Sequence, residues 1–228
     1  MSRLRTLTEL THRAGPGEAA LFIGLSVVGR VAALKVLQVV AITADRLDTN
    51  YLGLSGGYTG SFAERDWLIE QAARHPELGM SEAFVREAIA RGDRCYVITA
   101  GDTLASYGWY SNRPTAIDDG LILVFDPLYV YMYKGFTRTE HRGLRLHAIG
   151  MTRALAAVVD EGFCGLVSFV ERTNSASLKS VHRMGYNDVV KYAVMGRRDS
   201  LRIVRIGRRG RPDVSVRHAE PEPVACVT

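Results

Sequence analysis

The feature that most constrains this chain is a strand-like run ending at Thr137. It is followed by Arg-Thr-Glu-His-Arg-Gly-Leu-Arg-Leu-His147 and then by a helix-like stretch to Glu161. Farther on, Asn174-Ser-Ala-Ser177 opens a second, shorter stretch that closes on Met184-Gly185-Tyr186. In both places a strand gives way directly to a helix. A helix start leaves backbone N–H groups without helical acceptors, and the helix dipole favours negative charge there. Asn174 can cap its helix, and Gly185 can end it in a left-handed conformation. Two neighbouring units of this kind predict a cradle for a phosphate-bearing ligand lying across both.

Periodicity supplies the rest of the order. Strands are predicted at Leu34–Ile42, Cys95–Thr99, Leu104–Tyr110, Leu121–Phe125, Leu128–Thr137, Gly165–Val170, Val189–Met195 and Leu201–Ile206. Gly101-Asp102 reads as a hairpin turn between the second and third of these. Helices are predicted at Phe62–Arg74, Ser81–Arg91, Arg142–Glu161 and Asn174–Met184, with apolar residues three and four apart. Leu52-Gly-Leu-Ser-Gly-Gly-Tyr-Thr-Gly60 reads as a glycine-rich mobile loop, either lying over an acceptor site or serving as a plain connector. This order predicts an α+β domain, a central mixed β-sheet with helices on both faces. The domain spans 34–207. An extension, 1–33, precedes it with the apolar run Ala19–Gly29, and a basic tail expected to be disordered, 208–228, follows it.

The Arg142 turn resembles the acyl-CoA motif of the GCN5-related N-acetyltransferase (GNAT) superfamily, roughly Arg/Gln-x-x-Gly-x-Gly/Ala after a strand. Asn174-x-x-Ser177…Arg183-x-Gly185-Tyr186 is similar to that family's Asn-x-x-Ser/Ala…Lys-x-Gly-Phe segment. The resemblance covers roughly Tyr96 to Met195. Arg145 stands where the family has its second glycine, and His147 where Gly or Ala is usual. Glycine there lets the backbone approach a pyrophosphate closely; an arginine either adds a phosphate contact or crowds the site.

The resemblance implies a GNAT-like fold whose strands Leu128–Thr137 and Gly165–Val170 splay apart, with the pantetheine arm of CoA in the gap. It implies transfer of an acyl group from acetyl-CoA or another acyl-CoA, as co-substrate, to an amine of a small molecule. The pyrophosphate would sit on the amides of Leu144, Arg145, Leu146 and His147 after Gly143, with Arg142 and Arg145 as charge partners. Backbone near Phe136 and Thr137 would hold the pantetheine arm, and Asn174 and Ser177 would face it. Where many family members carry an acidic Tyr, four residues before the Gly-Phe pair, this chain has Val181. That leaves Glu171, at a strand end, as candidate base and Tyr133 as candidate acid, each against the alternative of a structural role.

Other signals bound the reading. The formal charge of +5 suits an anionic ligand but equally a protein without one. Three cysteines without a C-x-x-C spacing read as reduced thiols of a cytoplasmic chain, Cys95 and Cys164 as buried packing residues. His141 and His147 lack Cys or carboxylate partners at ligand spacing, so no metal site is expected. The arginines from Arg197 to Arg211 lack interleaved aromatics, so a solvated basic segment is expected and no nucleic-acid partner. Asp118-Asp119-Gly120 reads as a turn, with a cation subsite as its alternative. The run Ala19–Gly29 is too short to span a bilayer before Arg30. It reads as an apolar helix packed on the domain or in a homodimer, with peripheral membrane attachment as the alternative. Two functional alternatives stay open: a GNAT-like enzyme using long-chain acyl-CoA or an acyl carrier protein, and a non-catalytic acyl-CoA-binding module.

Overall fold

A computed structural model describes residues 34–118, 120–196, 201–207 and 210–219. The apolar run Ala19–Gly29, Asp119 and Cys226 lie outside them. The strands are β1 (Lys35–Thr43), β2 (Tyr58–Phe62), β3 (Arg94–Ala100), β4 (Thr103–Ser111), β5 (Thr115–Asp118), β6 (Leu121–Phe125), β7 (Tyr129–Thr137), β8 (Gly165–Glu171), β9 (Asn187–Met195), β10 (Arg202–Ile206) and β11 (Val214–His218). The helices are α1 (Arg65–Arg74), α2 (Glu82–Ala90), α3 (Leu146–Asp160) and α4 (Ser175–Arg183). Among the described residues, no helix is long and apolar enough to cross a membrane.

Eight strands form one sheet in the order β10-β9-β1-β8-β7-β4-β3-β2, and β5, β6 and β11 form a second. The sheet is mixed because one pair, β7 with β8, is parallel while its other pairs are antiparallel. A parallel pair requires a long crossover, and α3 supplies it. Leu146, Ile149, Met151, Leu155 and Val158 of α3 bury one stripe against Val130, Met132 and Leu166 of these strands. Leu178 and Val181 of α4 join the same cluster. On the opposite face, Leu121, Leu123, Phe125, Val214 and Val216 of the small sheet cover Val39, Ala41, Tyr131 and Val167. Beside them, α1 and α2 cover Val97, Leu104, Tyr107 and Trp109. Helices therefore lie on both faces, as the element order requires.

Several expectations are corrected. Residues 58–60, read as the end of a glycine-rich loop, and Phe62, read as the start of a helix, instead belong to the edge strand β2, which pairs with β3, and α1 begins at Arg65. Val214–His218, assigned to the tail, pairs with β6, because Val214 and Val216 alternate inward onto the small sheet. Cys164 is exposed just before β8, whereas Cys95 is buried as expected. Helix α3 begins at Leu146 rather than Arg142, since Gly143 (φ +86°) and Arg145 (φ +60°) are left-handed.

Candidate functional site

The β7–β8 ladder runs only from Tyr129↔Gly165 to Tyr131↔Val167. Beyond it β7 stays on β4 and β8 stays on β1, so the two strands part. A bulge helps to turn β7 away: Trp109 pairs with Lys134 and Tyr110 with Met132, which leaves Tyr133 as the extra residue. At the vertex the buried Ser168 hydroxyl donates to the Met132 carbonyl at 2.8 Å, satisfying a group that the parting frees. The opening holds a cavity of about 280 Å³.

Strand alternation divides the cavity wall. Met132 and Val170 belong to the α3 side, and His147, Met151, Asn174, Ser177 and Val181 line the cavity from the elements that cover it. Tyr133, Phe169 and Glu171 also line it. Tyr133 and Phe169 pack with the clusters of the opposite face, and Glu171 alternates with Phe169 along β8. Residues of both faces of the sheet thus line the cleft.

On the α3 side lies the turn expected to seat phosphate. No side chain caps α3, and Arg142, Gly143, Leu144 and Arg145 are exposed. A Cβ on Gly143 would meet nothing within 4 Å, so the turn is open from outside. Arg145 adopts φ +60° where glycine is favoured and is the one such non-glycine residue among those described. It does not line the cavity, so it offers charge at the turn without narrowing the cleft. Asn174 spends its Oδ1 on the Ser177 amide at 3.0 Å and caps α4 at the other edge.

The free edge of β7 follows from its hydrogen bonds. The Phe136 carbonyl accepts the Ser106 hydroxyl at 2.9 Å on the β4 side, and the Arg138 amide bonds Ala105 on that side too. Alternation then turns Gly135 and Thr137 towards the opening, where Arg142 Nε reaches the Thr137 carbonyl at 3.3 Å. Phe136, expected to hold an extended ligand, instead stacks its ring on Tyr107 at 5.7 Å and directs its backbone to β4. The backbone groups that face the opening are those of Gly135 and Thr137.

Sequence reasoning gave His147 a backbone role only, and its side chain is the larger finding. The imidazole lies over Gly135, where a Cβ would overlap its Cε1. It makes no hydrogen bond among the described residues, and burial lowers its pKa, favouring the neutral ring. His182 is directed elsewhere and meets Asp188 at 2.8 Å.

On the opposite face, the Tyr133 hydroxyl donates to Asp93 Oδ2 at 2.9 Å, and Arg91 reaches the same oxygen at 2.8 Å. Burial, and then the neighbouring Asp93 charge, push the Tyr133 phenol far above its ordinary range. Nothing local in the sequence joins Asp93 to Tyr133, forty residues on. Glu171 is exposed at the cavity edge, with the Thr173 hydroxyl 3.5 Å from its Oε2.

An acyl-CoA fits these residues at three points. The uncapped α3 start is open to phosphate, the β7 edge can accept an extended amide-bearing arm, and an imidazole without a partner faces the path between them.

No family model matches the sequence, and neither does any curated protein. Solved structures do. A GCN5-related N-acetyltransferase from Sphaerobacter thermophilus aligns at a TM-score of 0.52 and 12% identity, over 86% of this chain and 59% of that one. A tandem GNAT protein from the clavulanic acid biosynthesis pathway aligns at 0.51 and 16%, over 86% of this chain and 60% of that one. The chain therefore spans about three fifths of the length of each. At such identities the likeness concerns architecture, and the architecture is the GNAT fold.

Proposed function

We propose that this chain transfers an acyl group from an acyl-CoA thioester, acetyl-CoA or a longer ester, to the amine of a small molecule. The observation that carries this reading is the parting of β7 and β8 around a cleft lined from both faces, with the uncapped start of α3 on one face and the Glu171 carboxylate on the other. The bound thioester supplies the activated acyl group. Arg142, Arg145 and the amides from Leu144 to His147 would hold its phosphates, while the edge at Gly135 and Thr137, with Asn174 and Ser177 opposite, would align the arm.

An N–H on the free β7 edge would polarise the thioester carbonyl. An alkylamine is mostly ammonium at neutral pH and must lose a proton before it attacks. Glu171, an exposed carboxylate at the acceptor mouth, is the base for that step, directly or through one water. Tyr133 is held protonated, and its phenol orients the acceptor side while Asp93 and Arg91 hold it in place.

Calorimetric titration with acetyl-CoA and longer esters tests the donor, and amide formation tests the transfer. Binding in the micromolar range that Gly143→Trp abolishes supports the reading. With binding intact, Glu171→Gln is expected to lower kcat about a hundredfold, the ordinary scale of general-base catalysis. Absence of binding to any CoA ester at millimolar concentration refutes the proposal. Binding without turnover of any amine would favour a non-catalytic acyl-CoA module.

A further inference from the structure

We infer that the acceptor is a monoamine with an aromatic body, received between Tyr133 and Phe169 with its ammonium on Glu171. This rests on the acyl-transfer reading above and narrows it to a substrate class. With the phosphate seat on the α3 side, the donor's arm occupies that side of the cleft. The amine must then approach the vertex from the other mouth, where the available side chains are Tyr133, Phe169 and Glu171.

The charges limit the acceptor first. Glu171 is the single carboxylate among the residues lining the cavity. The nearby Asp93 is buried and already holds Arg91 and Tyr133. Lys134, beside Tyr133 on the bulge, sets its Nζ 5.1 Å from the centre of the Phe84 ring. A polyamine or aminoglycoside would bring several ammonium groups to a cavity lined by a single carboxylate, with Lys134 on the neighbouring face. Unpaired like charges there oppose binding.

The rings define the body. Tyr131 is fully buried, and its ring centre lies 5.8 Å from Tyr133, 6.4 Å from Phe169 and 5.8 Å from Phe125. Phe84 of α2 closes the far side, 6.3 Å from Tyr133. Tyr133 and Phe169 thus sit partly exposed on a packed aromatic floor, and the Asp93 hydrogen bond restrains the Tyr133 ring further. Two immobilised rings astride a gap offer offset and edge-on contacts to a third at little entropic cost. Asp93 is a positioning residue in this account.

The test uses the purified full chain with acetyl-CoA and measures thiol release and amide mass. The acceptors are phenethylamine, tyramine, butylamine, spermidine and kanamycin. Phenethylamine is expected to exceed butylamine by about tenfold in kcat/KM, the worth of one aromatic contact, and spermidine by more. Phe169→Ala should bring phenethylamine down to about the butylamine value through KM, with the acetyl-CoA Kd unchanged by calorimetry. Should Phe169→Ala misfold, Phe169→Leu keeps the bulk, removes the ring and makes the same forecast. Preference for spermidine or kanamycin overturns the inference and leaves acyl transfer standing. So does parity of butylamine with phenethylamine. Acetyl-CoA binding without acylation of any amine in the set overturns the inference and favours the non-catalytic module. Failure to bind acetyl-CoA or any longer CoA ester overturns both.

Discussion

Replacing Gly135 with alanine separates the two parts that His147 plays. A Cβ at this position would overlap His147 Cε1, lie 2.7 Å from Met132 Cε and 3.1 Å from His147 Nδ1. All three atoms end rotatable side chains, so the strain has an outlet: the imidazole turns into the cleft. The stability cost is that of a modest overpacking, about 1–3 kcal/mol. For a chain of this length that corresponds to about 2–4 °C in Tm per kcal/mol. On the proposed donor path the displaced ring would stand in the way of the acyl-CoA arm, so donor affinity should fall at least tenfold, about 1.4 kcal/mol. Removing the ring should reverse this, and Gly135→Ala/His147→Ala should bind acetyl-CoA better than Gly135→Ala alone. Urea melts and calorimetric titration of the four proteins form a complete double-mutant cycle. Unchanged acetyl-CoA affinity in Gly135→Ala, or additivity of the two substitutions in binding, would refute the placement of His147 on the donor path.

Gly150→Ala is the contrasting glycine: within α3 its Cβ would meet Ile98 Cδ1 at 3.5 Å, an ordinary contact. Helix propensity should then raise stability by about 0.5–1 kcal/mol, read in the same urea melts. Arg145→Gly removes a left-handed arginine and a proposed phosphate partner together. Stability should stay level or rise by up to about 1 kcal/mol, since relief of backbone strain outweighs the greater freedom of the unfolded glycine. Acetyl-CoA affinity should fall in a salt-dependent way, and a clear loss of stability would contradict the strain argument. The His147 pKa is depressed from its ordinary 6.5 by burial. The unfolded chain therefore binds its proton first as pH falls, so this contribution to stability is whole above 6.5 and is lost as pH drops through the folded value. Melts from pH 7.5 to 5 should show this loss, and His147→Asn should flatten it.

The strand order around the cleft was legible because each strand–helix unit announces itself twice, by a turn residue and by a change of period. What escaped has physical causes. β2 is short and glycine-bearing at a sheet edge, where few packing contacts impress a pattern on sequence. β11 alternates over a few residues inside a basic stretch, and its burial depends on the distant β6. β1 reads as a strand, yet nothing local says that it inserts between β8 and β9. The bulge was hidden as well: Tyr131, Tyr133 and the residues between them suggest plain alternation, while Tyr133 and Lys134 share a face. Asp93 and His147 illustrate the general limit. A side chain whose partner stands across the fold leaves no periodic trace.

The same two-sided cleft bears on Val181. It lines the cavity from α4, on the side that would receive the donor. An acid there would protonate the departing thiolate. A thiol with an ordinary pKa near 8.5 is a far better leaving group than an amine, so departure does not demand a proton in flight. The harder proton is the one on the incoming ammonium, and in the proposed mechanism it would be removed on the other side, where Glu171 stands. Losing a side-chain acid on the donor side is therefore tolerable as long as the acceptor side keeps its carboxylate. On this reasoning Val181→Tyr should change kcat little, through crowding of a buried position, whereas Glu171→Gln should lower it sharply. Rate measurements on both variants at saturating acetyl-CoA decide the matter. A large gain in Val181→Tyr would mean that thiolate protonation limits the rate and that the base at the acceptor mouth is the lesser of the two demands.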